Sequence, residues 1–138
     1  MLRLLLFSLL FILSLEAKEL VIIGDKSFKD KNITLQEVKD FFLAKKRFLE
    51  GKKILVMNYE HDNLLRECFE TMVLKKSSRS IERYWQKAYY QGKRPPKIVT
   101  SKEMLLTYMQ VVQPSIGYVD KGKELPAYTL ILFEIKCQ

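Results

Sequence analysis

One histidine, two cysteines, five glycines and four prolines are all that the 138-residue chain holds of the residues that most often punctuate or power a protein. Each scarcity excludes something. A single His61 leaves no HExxH pair and no imidazole cluster for zinc. The few glycines form neither a phosphate-cradling loop nor a GxSxG elbow. His61 and Cys68 could be paired as base and nucleophile. They sit at opposite turns of one junction, and Cys68 falls on an apolar stripe, so the residues do not support an enzyme. No catalytic residue, metal or cofactor is expected.

Long apolar runs are also rare. The single extended one, Leu4 to Leu13, is too short to cross a bilayer comfortably. It follows the early cation Arg3 and precedes the small residue Ala17, which is the order of a secretory signal peptide. Residues 1–17 are therefore expected to direct export to the periplasm, with residues 18–138 as one mature domain. An uncleaved N-terminal anchor is the alternative.

What is abundant is positive charge. The formal net charge is +8, and losing Arg3 and Glu16 with the signal leaves it unchanged. A basic balance suits nucleic acid, an anionic surface or an anionic ligand. Export makes nucleic acid an unsuitable partner, and the lysines are scattered in pairs, as on a hydrated surface. Cys68 and Cys137 make an even count, which permits a bridge in an oxidising compartment. Alternatively Cys68 is a small core residue and Cys137 lies in a fraying end.

The hydrophobic pattern alternates between strands and helices. ELVIIG (19–24), ILVMNY (54–59), KIVT, SIGYV (115–119) and AYTLILFEI (127–135) read as strands. Thr34 and Glu37 form a capping box ahead of a helix over 35–44. Asp62 is expected to cap a helix reaching Leu74, and Ser77 or Ser78 the next. There Ile81, Tyr84, Trp85, Ala88 and Tyr89 make an aromatic inner face, so Trp85 is expected to be largely buried. Thr100 and Glu103 form a second box before the last helix. The fold class is α/β, a mixed sheet flanked by about four helices. The short link between the last two strands predicts that they pair antiparallel.

Two strand-to-helix junctions present backbone amides that can hold an anion. At the first, Gly24 and Ser27 lie just past a strand end, where ligands bind in open α/β sheets. At the second, Asn58, His61, Asp62 and Asn63 surround the turn of NYEHDNLL, although Asp62 as a cap would occupy the helix amides itself.

The order of these pieces carries a resemblance. LQEVKDFFLAKKRF, LLRECFETMVL, ERYWQKAYYQGKRPP and SIGYVD follow one another as in short, single-domain relatives of the phosphate-binding proteins of ABC transporters. The resemblance spans about residues 18–120. It implies a single periplasmic-binding-protein-like lobe that binds a solute, typically phosphate, without catalysis, for an ABC permease or a sensor. In full-length members the junction matching residues 58–65 carries an Arg and a Ser-Gly-Ser-type turn; here His61, Asp62 and Asn63 stand nearest that turn. A second expectation is an envelope interaction module on the same fold, using the Tyr, Arg and Lys of ERYWQKAYYQGKRPP to contact a partner protein.

Overall fold

The computed structural model describes residues 19–122 and 124–137. The expected signal peptide lies outside the described residues.

Strand β1 (Glu19–Asp25) is followed by a 3-10 turn and then by α1 (Leu35–Phe42). Thr34 caps α1, with its hydroxyl accepting from Glu37 N and the Glu37 carboxylate reaching back, as the capping box predicts. A two-stranded ribbon, β2 (Phe48–Leu49) and β3 (Lys52–Lys53), leads into β4 (Leu55–Tyr59). Next come α2 (Leu64–Phe69), continued by a π turn to Leu74, and α3 (Ser78–Tyr89), which Ser77 caps. β5 (Lys97–Val99), α4 (Lys102–Val111), β6 (Ser115–Asp120) and β7 (Thr129–Lys136) complete the chain.

Two of the expected caps fall one residue away. Asn63, not Asp62, caps α2, its Oδ1 accepting from Leu65 N and Arg66 N. Ser101, not Thr100, caps α4, accepting from Met104 N. In both cases the residue whose backbone is extended immediately before the first helical turn takes the role.

The five main strands lie in the order β5-β4-β6-β1-β7, and β1 runs antiparallel to both of its neighbours. β4 is parallel to β5 and to β6. The last two strands therefore do not pair with each other. β1 is inserted between them, because its run LVII is apolar on both faces and is stable only in the middle of the sheet.

Both sheet faces are covered. Gly117 and Tyr118 on β6 point to opposite sides. At Gly117, a Cβ would come within 2.8 Å of Leu105 Cδ1, so the bare backbone lets α4 approach that face. On the other face the Tyr118 ring stacks on Phe69 at 4.2 Å between centroids, and Phe69 meets Phe42 at 4.4 Å. α1 and α2 thus close the second face, and α3 is tied beside them by the Tyr84 hydroxyl, which donates to Leu43 O. Cys68 on α2 is bonded to Cys137 just beyond β7.

Candidate functional site

The expected site residues fall on opposite edges of the sheet. Because β1 runs against β4 and β6, its end at Gly24 is level with Ile116 and the beginnings of those strands. The NYEHDN junction sits at their far ends. Gly24 and Ser27 are therefore not brought together with Asn58, His61, Asp62 and Asn63.

At both junctions the chain's own side chains take up backbone amides. Gly24 is buried against the Phe28 ring, which fills the space a side chain would need. Ser27 donates through both N and Oγ to Asp25 Oδ2, and the buried Asp25 accepts Ser115 N with its other oxygen at 2.9 Å. The carboxylate of Asp25 thus fills the first junction. At the second, Asn58 is buried, and its Oδ1 accepts from Tyr59 N and the Tyr118 hydroxyl. Asp62 is exposed to solvent and Asn63 holds the helix amides. His61 is exposed too, turned toward a different surface.

Two open depressions flank this region. The first, about 1010 Å³, lies along the edge where β4 and β6 end. The starts of α2 and α4 meet it through Asn63 and Ser101, each engaged as a cap. Lys102, Lys121 and Lys136 converge there, but Lys102 faces Asp120 at 3.5 Å and Lys121 faces Glu19 at 3.1 Å and Glu134 at 3.4 Å. The hydrogen bond to Glu19 and then that to Glu134 hold the Lys121 ammonium above its ordinary pKa. Of the three, only Lys136 has no carboxylate partner among the described residues.

The second depression, about 760 Å³, runs beside α3 toward the sheet-edge strand β5. Trp85, Tyr89, Tyr90 and Ile98 give it apolar walls, and Arg66 and His61 enter it from α2 and the turn before it. Trp85 is half-buried rather than enclosed, and Tyr89 and Tyr90 are 58% and 89% exposed. The buried line of α3 is Ile81 and Ala88 with Tyr84 alongside; Trp85 packs partly against the core, and Tyr89 faces outward. The aromatic stretch was legible in the sequence. Arg66 was not singled out, although its i,i+4 spacing to Glu70 marks a pair on one helix face.

The Arg66–Glu70 pair is an unusual feature beneath this groove. Arg66 Nη1 donates to Tyr59 O at 2.8 Å, while Nε lies 3.7 Å from Glu70 Oε2. Arg66 Nε and Glu70 Oε1 are buried without a hydrogen-bond partner. Burial raises the Glu70 pKa, and the Arg66 charge only partly opposes this.

Cys68 has its sulfur in the bond to Cys137, so it offers no thiolate for His61 to activate. Among the described residues no group of three or more His, Cys, Asp and Glu is placed to hold a metal, and no helix is long and apolar enough to cross a membrane. No family model and no curated protein matches the chain.

Proposed function

We propose that the chain is an exported, non-catalytic binding domain of the cell envelope, built as one lobe of the periplasmic-binding-protein type, and that it binds through the groove beside α3. The observation that carries this reading is the aromatic wall of half-buried Trp85 and exposed Tyr89 and Tyr90, which lines one groove with Arg66 and His61. Ligand sites are typically apolar concavities with a few convergent polar groups, and this groove has that composition. The Cys68–Cys137 bond supports export, since such bonds persist in oxidising compartments. The open α/β sheet with helices on both faces is compatible with a binding-protein lobe.

Free phosphate is a poor ligand for this domain. Its capture needs unoccupied amides or an unpaired cation cluster, whereas Asp25 accepts Ser27 N at the first junction and Asn63 accepts Leu65 N and Arg66 N at the second. A thermal-shift panel of phosphate, sulfate and small organic anions tests the reading, because a ligand of the native state raises its melting temperature. Organic anions are expected to stabilise the wild type and to lose that effect in Tyr89→Ala. Stabilisation by phosphate that survives Tyr89→Ala would return the site to the strand-end cleft.

A second reading, a protein-interaction module on the same surface, is favoured by Tyr90. It is 89% exposed beside Tyr89, whose ring carries the Arg94 guanidinium at 4.5 Å. Tyr and Arg are enriched at interface hot spots. An envelope protein or permease is the partner this reading implies, and a photo-crosslinking residue at Tyr90 would then give one discrete adduct in whole cells.

A further inference from the structure

The groove beside α3 differs from the strand-end cleft in how its cation is used. In the cleft, Lys102 and Lys121 face carboxylates from the surface. In the groove, the Arg66 side chain is 14% exposed and makes one hydrogen bond among the described residues, to Tyr59 O. A guanidinium has five N–H donors, and a buried donor left unmade is costly. Glu70 does not meet that need. Its Oε2 is 3.7 Å from Arg66 Nε, beyond hydrogen-bond reach, and its Oε1 has no partner either.

Burial also opposes the ionisation of Glu70, the buried carboxyl that stands nearest the Arg66 guanidinium. The neighbours of Arg66 along the groove are an imidazole, His61, and apolar surface from Trp85, Tyr89 and Ile98. Glu82 is the one carboxylate lining it, and it stands in water on the exposed side of α3, where its repulsion is screened. A guanidinium that lines an aromatic-walled trough suits a carboxylate carried on an apolar body.

We propose that the groove is a binding site for an amphipathic organic carboxylate, with Arg66 pairing the carboxylate and Trp85 and Tyr89 covering the apolar body. This rests on the reading of the groove as the binding surface, and it adds the ligand's charge and shape.

Trp85 is the chain's sole tryptophan and lines the groove, so its emission reports occupancy directly. The probes are 4-phenylbutyrate and 4-phenylbutanamide, which share an apolar body and differ in charge. The acid is expected to change Trp85 emission saturably and the amide to bind at least about tenfold more weakly, as loss of a charge-assisted pair implies. Arg66→Gln should bring the acid down to the amide's level. If that variant fails to fold, the wild-type comparison of acid with amide decides alone. Equal binding of the two probes would overturn the carboxylate assignment and leave the groove reading in place. No saturable response to either probe up to about 10 mM, beyond the millimolar range of weak specific sites, would overturn both.

Discussion

Glu70 is a carboxyl placed where ionisation is disfavoured. Burial pushes its pKa up, and Arg66, 3.7 Å away, offsets this in part. A folded-state pKa above the unfolded one favours the protonated side chain on folding. The resulting stability is present below the unfolded value, about 4.3, and is lost as pH rises through the folded value. Glu70→Gln imitates the protonated form and removes that dependence. Urea unfolding of both proteins across the pH range should show the wild type losing stability relative to Glu70→Gln as pH rises. The opposite slope would mean that Arg66 outweighs burial. Asn63 gives a second test at this scale. Asn63→Ala should cost about 0.5–2 kcal/mol, whereas Asp62→Ala, exposed and outside the cap, should stay within about 0.5 kcal/mol. Equal losses would mean that both side chains share the helix start. The sequence pointed to Asp62 as the cap, and Asn63 takes the role instead: the two are equally good caps, and a one-residue difference in the turn decides between them.

At the scale of elements, α3 shows what helical spacing can and cannot decide. Ile81 and Ala88 are buried, and Tyr84 reaches Leu43 O, so one side of the helix is covered as the periodicity implies. Tyr89 lies about a quarter turn from Ala88, and the apolar arc continues past the buried line of Ile81 and Ala88. Periodicity reports which residues share an arc; how wide the neighbouring elements are is a tertiary property. That is why Trp85 reads as core in the sequence and sits half-open at the groove. Ile81→Ala should then cost roughly 2–5 kcal/mol, and Trp85→Ala clearly less than the roughly 3–5 kcal/mol of an enclosed tryptophan. Denaturant titration of the two variants measures this. A Trp85→Ala loss in the full core range would mean that the ring is enclosed, and would remove the wall on which the groove depends.

Across the whole molecule, the strands were legible as segments, but their order was not. Each apolar run announces a strand by its own composition, whereas pairing joins residues far apart in sequence and depends on what remains uncovered. The short link from β6 to β7 suggested a hairpin, yet β1 lies between them, so both outer partners of β1 depend on a strand from the other end of the chain. β7 is an edge strand whose single sheet neighbour is β1, with a register shift between Ile22 and Ile23. Its far end is anchored by the Cys68–Cys137 bond, which closes a sequence separation of 69 residues onto α2. On the chain-entropy model a loop of that size contributes about 4 kcal/mol, mostly by restricting the unfolded chain. The double variant Cys68→Ser, Cys137→Ser should therefore lower unfolding free energy by roughly 2–5 kcal/mol, and reductant should do the same to the wild type and nothing to the variant. Amide exchange gives the spatial arm of the test. If the bond also clamps the edge, protection in the variant should fall first along Thr129–Lys136 and the facing residues of β1, while β4, β5 and α4 keep theirs. Uniform loss of protection would mean that the bond acts on the unfolded chain alone and that β7 holds its place by packing.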